Sequence, residues 1–136
     1  MTRVVIVDDD PDFTHLVGEL LREQGYDVST CADDREALEC VVDAAADLVL
    51  LDLRMTSKES GWRVLEMLAN DPRTRAIPVI ISSAALDDLN NRATELAARG
   101  IETLAKPFDI DDLLMMIERL TRQHGNPRNS DHASRL

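Results

Sequence analysis

Compact apolar runs alternate along this chain with longer stretches of helical spacing. Residues 4–7 (VVIV), 48–51 (LVLL), 77–81 (IPVII) and 101–105 (IETLA) are short runs bounded by polar residues, and 26–31 (YDVSTC) is a more polar one. Runs of this length read as strands buried on both faces, the pattern of a parallel sheet, with the polar run at a sheet edge. Between them, apolar residues recur at helical intervals. They are Phe13, Leu16, Val17, Leu20 and Leu21; then Ala37, Leu38, Val41 and Val42; then Val64, Leu65 and Leu68; then Leu89, Ala93, Leu96 and Ala97; and last Ile110, Leu113, Leu114, Ile117 and Leu120. Five strands strictly alternating with five helices predict an α/β fold, a five-stranded parallel sheet with helices on both faces and right-handed crossovers.

Local chemistry sharpens the boundaries. Asp10-Pro11 supplies a side-chain acceptor at the N-cap and a proline at the first helical position. Asp33 followed by Glu36 offers a capping box, and Asp109 caps the last helix. Gly25 and Gly100 stop the first and fourth helices. Pro78 is tolerable only near the start of its strand. Residues 54–60 lack periodicity and read as a loop. From Gly125 onward almost no apolar pattern remains, so one domain is expected over residues 1–124 and a disordered tail over 125–136.

Composition narrows the class. The chain has 136 residues and a net charge of −11. Such a surface repels phosphates, which disfavours direct nucleic-acid binding. No run approaches the ~20 apolar residues of a membrane span, and no signal peptide is recognisable. Cys31 and Cys40 form neither a disulfide framework nor a metal-ligand spacing, and Cys40 falls on an apolar helical stripe as a small hydrophobe. A reducing, cytoplasmic setting is expected.

Three runs end in chemistry. The first opens into Asp8-Asp9-Asp10, the third ends on Asp52, and the fifth runs into Lys106-Pro107. Ligands of open α/β sheets bind at the carboxyl ends of the strands, so these groups converge on one pocket. Close carboxylates oppose one another's ionisation unless a cation intervenes. A hard divalent ion answers this need, and Mg²⁺ typically takes one or two carboxylates with waters and phosphate oxygens. Lys106 can meet a second anion, for which a phosphoryl group is the natural candidate. An aspartate such as Asp52 can accept it, with Ser83 donating a hydroxyl from the neighbouring strand end.

Residues 7–11 (VDDDP), 47–52 (DLVLLD), Ser83-Ala84 and 106–108 (KPF) together resemble the signature of the response-regulator receiver domain of two-component signalling. The resemblance covers nearly the whole chain, one motif per strand end. It implies a flavodoxin-like strand order 2-1-3-4-5, an order of which a receiver protein is a standard example. It implies Asp52 as phosphoacceptor, with Ser83 and Lys106 as the switch hydroxyl and the lysine. It assigns Mg²⁺ to Asp8, Asp9, Asp52 and the backbone carbonyl of Arg54. It further implies a cis Lys106-Pro107 peptide. The implied donor is a sensor histidine kinase or a histidine phosphotransfer protein, and the output is contact with a downstream protein target or phosphoryl relay. A homodimer through helix 4, strand 5 and helix 5 is a further implication, and Met115 and Met116 lie on that face. The protein would support its own phosphorylation and dephosphorylation without being a conventional enzyme.

Three positions depart from the family pattern. Thr103 stands where an aromatic switch residue is usual, Thr56 stands where proline is frequent in a loop that looks slightly long, and Arg54 occupies a position that tunes phosphoryl lifetime. Arg54 is accordingly expected to approach or shield the phosphoryl group. The competing reading is a phosphorylation-independent protein-binding pseudo-receiver, against which the intact acids, serine and lysine argue. An aspartyl-phosphate phosphatase would want a second acid in place of Arg54, and a flavin binder would not carry Asp8-Asp9-Asp10 in its phosphate loop.

Overall fold

A computed structural model describes residues 1–55, 57 and 59–124. The strands are β1 (Arg3–Val7), β2 (Asp27–Cys31), β3 (Leu48–Leu51), β4 (Val79–Ser83) and β5 (Glu102–Ala105). The helices are α1 (Pro11–Glu23), α2 (Ala37–Asp43), α3 (Ser60–Asn70), α4 (Leu86–Asn91), α5 (Ala93–Ala98) and α6 (Ile110–His124), with a 3-10 turn at Asp34–Glu36 before α2. All strand pairs are parallel, and the order is β2-β1-β3-β4-β5. This is the flavodoxin-like order expected from the resemblance.

The sheet works because its central strands are apolar on both faces. Val4, Ile6, Leu48, Leu50 and Ile80 pack on one side with Val17 and Leu21 of α1 and Leu113, Ile117 and Leu120 of α6. Val5, Val7, Val49, Leu51 and Ile81 pack on the other with Val41, Val64, Leu65, Leu68, Leu89 and Leu96. Successive strand residues point to opposite faces, so each central run feeds both layers at once. The polar β2 lies at one edge, as its sequence predicts, and β5 at the other.

The capping signals act as read, with one difference of detail. The Asp10 carboxylate accepts the amides of Asp12 and Phe13, and Asp109 accepts that of Asp111. Asp33 takes the amide of Arg35, rather than that of Glu36 as a capping box would, and a 3-10 turn results. Gly25 and Gly100 have φ of +91° and +73°, the left-handed region that ends a helix. The Lys106-Pro107 peptide is cis.

Two expectations are corrected, and the buried part of one apolar stripe is narrowed. The fourth predicted helix is broken at Arg92 (φ −110°, ψ 6°), which leaves the short α4 and α5, and so six helices in place of five among the described residues. Asn90-Asn91 precede the break, and such side chains compete with the backbone for hydrogen bonds. Leu16 lies on the helical stripe of α1 yet is 60% exposed, because Val17, Gly18 and Leu21 make the contact with the sheet. The fourth strand begins at Val79, although the Pro78 carbonyl still accepts the amide of Val49. Cys40 is half-buried against the core; burial, with the neighbouring Cys31, pushes its thiol up to about 12. The expected disordered tail, residues 125–136, and the loop positions Thr56 and Lys58 lie outside the described residues.

Candidate functional site

Backbone pairing continues one residue past the strand ends and fixes the first two acids. The amide of Asp8 donates to the Cys31 carbonyl at 3.0 Å, and that of Asp52 donates to the Val7 carbonyl at 2.9 Å. Asp8 and Asp52 therefore leave adjacent strands side by side at the carboxyl edge of the sheet. Both are buried, whereas Asp9 is exposed. Ligand oxygens of Asp8, Asp9 and Asp52 all lie within 4.8 Å of one another. Asp8 Oδ1 also accepts the Asp10 amide at 3.0 Å, and Asp52 Oδ1 accepts the Arg54 amide at 3.3 Å, which orients both carboxylates.

The third edge of the site comes from β5. The Lys106 amide donates to the Ser83 carbonyl at 2.9 Å. Its ammonium lies 2.6 Å from Asp8 Oδ2, 3.8 Å from Asp52 Oδ2 and 3.9 Å from the centroid of the Phe13 ring. Phe13 in turn meets Phe108 edge-to-face at 5.9 Å, so both residues flanking the lysine's approach are rigid aromatics. The lysine is tied more closely to Asp8 than to Asp52, a preference its sequence position did not disclose.

Asp52 is the electrostatically costly member. Burial pushes its carboxyl up to about 6 from 3.8; Lys106 and the Arg54 amide oppose that rise, and Asp8 and Asp9 add to it. Its negative charge is thus undercompensated by the protein's own groups. Three hard oxygen donors around one point form a donor set suited to Mg²⁺, and a dication there would supply the missing compensation.

Ser82 and Ser83 separate clearly. Ser83 is buried beside the site and its Oγ accepts the Ala85 amide at 3.0 Å, leaving its hydroxyl proton available. The Ser82 hydroxyl is equally buried and, among the described residues, has no hydrogen-bond partner. An orphaned buried hydroxyl costs about 1–3 kcal/mol. Ser82→Ala is therefore expected to raise stability by about 1 kcal/mol in urea titration; a loss of stability would show that the hydroxyl is satisfied.

Two contributors were not legible as site residues. Gly61 brings the start of α3 against the loop that follows Asp52: its amide donates to the Leu53 carbonyl at 2.9 Å, and a Cβ there would lie 2.3 Å from the Asp52 carbonyl oxygen. Its only sequence signal was its position at a helix start. Asp88 of α4 receives the Arg54 Nε at 2.8 Å, so the Arg54 guanidinium is engaged with α4. Nothing in the spacing of two residues 34 apart announces that pair.

Comparison with known proteins agrees with this geometry. The chain is 33% identical over 137 residues to a DNA-binding dual master transcriptional regulator, RpaA, of Synechocystis, covering 100% of this chain and 56% of that protein. It is 34% identical over 120 residues to the response regulator PleD of Caulobacter vibrioides, covering 88% of this chain and 26% of that protein. The chain thus spans about half or less of the length of these relatives. Among solved structures, the receiver domain of the Francisella response regulator 1452 superposes with a TM-score of 0.78 at 28% identity, over 92% of this chain and 100% of that one. The family model of the response regulator receiver domain matches residues 4–118. With its strand order, its acids at the strand ends and these relatives in agreement, the chain belongs to the response regulator receiver domains, the phospho-accepting modules of two-component signalling.

Proposed function

We propose that this chain accepts a phosphoryl group on Asp52 from a phosphohistidine, carried by a sensor histidine kinase or a histidine phosphotransfer protein, in the cytoplasm. The observation that supports it most is the undercompensated Asp52, buried within reach of both an acid cluster and the Lys106 ammonium. In the transfer, an Asp52 oxygen forms a bond to phosphorus. The phosphorus–nitrogen bond of the donor breaks, and its electron pair returns to the imidazole. Little covalent help is needed; positioning and charge neutralisation do the work.

Asp8, Asp9, Asp52 and the Arg54 carbonyl would hold Mg²⁺, which when bound supplies charge neutralisation for the phosphoryl oxygens. Lys106 sits 3.8 Å from Asp52 Oδ2, close enough to meet an oxygen of a group attached there. Ser83 is placed to donate its hydroxyl to another. The chain acts on itself and is no conventional enzyme. Thr103, half-buried on β5, offers no ring to swing, so the change must pass through Ser83 and the segments that follow it. The output is contact with a protein target, or relay, with α4, α5, β5 and α6 as the docking or homodimer face. Met115, 67% exposed on α6, is the apolar residue there that a partner would cover.

Intact-mass measurement after incubation with phosphoramidate tests this reading. One added phosphoryl mass is expected with Mg²⁺ and none with excess chelator. Equal uptake in both conditions would remove the metal from the scheme, and no uptake in either would favour a phosphorylation-independent module.

A further inference from the structure

The Arg54 side chain has no task in the scheme above, although it leaves the backbone two residues beyond Asp52. Its guanidinium reaches across to α4, where Nε pairs with Asp88 Oδ2 at 2.8 Å. The Asp88 carboxylate is largely covered while the Arg54 side chain is half exposed, so the arginine is the mobile partner. The Arg54 amide is at the same time held on Asp52 Oδ1 at 3.3 Å, so the arm is rooted beside that carboxylate while its tip rests on Asp88.

The anchorage of α4 is correspondingly light. The helix has six residues and no side-chain N-cap, and Leu89 is its buried residue among those described. Its polar ties matter in proportion. Arg54–Asp88 is one of them, and just past the helix the Arg92 guanidinium stacks 4.2 Å from the centroid of the Trp62 ring of α3. Trp62 follows Gly61, so both ties lead back to the phosphoacceptor loop.

We infer that Arg54 is an arm shared between Asp88 and a phosphoryl group on Asp52, and that Asp88 is the residue that positions it. The inference rests on the phosphoacceptor reading of Asp52. Phosphorylation replaces one carboxylate charge by a group of about −2 with three strong acceptor oxygens. The planar guanidinium fork matches such a group in a bidentate way, whereas Asp88 holds it through Nε. When the arm moves to the phosphoryl it covers the phosphorus against water and removes one of the ties on α4. Asp88 thereby sets both the lifetime of the modification and the freedom of the helix.

The test follows phosphoryl loss by intact mass after donor removal, in Mg²⁺, for the wild type, Asp88→Asn, Arg54→Ala and the double variant. Releasing the arm in Asp88→Asn is expected to lengthen the lifetime about threefold to fivefold, the worth of one exposed ion pair. Arg54→Ala shortens it, and adding Asp88→Asn to that background changes nothing further. Trp62, the single tryptophan of the chain, gives a second readout: its emission changes on phosphorylation in the wild type and does not in Arg54→Ala. An unchanged lifetime in Asp88→Asn, or an Asp88 effect that persists without Arg54, overturns the inference. Failure of the wild type to take any phosphoryl group overturns the phosphoacceptor reading instead, so the two failures are distinct.

Discussion

Asp52→Asn is expected to abolish phosphoryl uptake and, in the absence of divalent ions, to make the protein more stable. Uptake fails because a neutral amide offers neither the nucleophilic oxygen nor the charge that the site is built to compensate. The gain in stability comes from the same burial that marks the residue. The folded-state carboxyl is raised to about 6, above its ordinary value of 3.8. Below about pH 4 both folded and unfolded chains carry the proton, and Asp52 has no effect. Between about pH 4 and pH 6 the folded state binds more protons than the unfolded one, so stability falls as pH rises; above that the full penalty remains. Its ceiling is about 3 kcal/mol, and water at the mouth of the cleft reduces it. Urea titrations of wild type and variant in chelator, from pH 4 to pH 8, should therefore diverge with increasing pH, the variant above. Magnesium should close the gap by stabilising the wild type, with saturation at a hundred times the dissociation constant worth about 2.7 kcal/mol. Parallel curves across that range would mean that Asp52 is not strained by its surroundings.

Gly61→Ala is expected to damage fold and site together. The added methyl carbon would stand 2.3 Å from both the Asp52 carbonyl oxygen and Leu53 Cα, and 2.6 Å from the Leu53 carbonyl oxygen. All three are backbone atoms, and no rotamer change can clear them. The start of α3 must separate from the loop that follows Asp52, at a cost of about 3 kcal/mol. Misplacement of a reacting group by about 1 Å can cost on the order of a hundredfold in rate, so uptake from phosphoramidate should fall at least tenfold even in the folded fraction. Gly18→Ala is the control. It too lies in a helix, but its Cβ would meet the end of the flexible Arg22 side chain at 3.3 Å. Alanine there should stabilise by up to about 1 kcal/mol, as helix propensity dictates. Equal effects of the two substitutions in thermal melts would refute the close approach at Gly61.

The contrast between the two glycines illustrates where sequence reasoning reached and where it stopped. Both look alike as letters in helical surroundings, and only the neighbour across space distinguishes them. The same holds for Arg54. Its place after Asp52 suggested a role at the phosphoryl group, but its actual partner, Asp88, lies 34 residues away on a different helix. Leu16, 60% exposed on the apolar stripe of α1, shows a related limit. A stripe of five apolar residues is wider than the line of contact a helix makes with a sheet, and periodicity does not say which member falls outside that line.

The amino-acid sequence by itself determined the five strands, their parallel order through the family resemblance, the caps at Asp10 and Asp109, the stops at Gly25 and Gly100, and the gathering of Asp8, Asp52, Ser83 and Lys106 at one end of the sheet. These follow from interactions over a few residues, plus the rule that parallel strands present their carboxyl ends on one side. Tertiary structure alone decided that Lys106 rests on Asp8, that Arg54 is bound to Asp88, that Gly61 must have no side chain and that the Ser82 hydroxyl has no partner among the described residues. Each depends on distances between segments far apart in the chain, which local propensity does not encode and only the packed sheet and helices set.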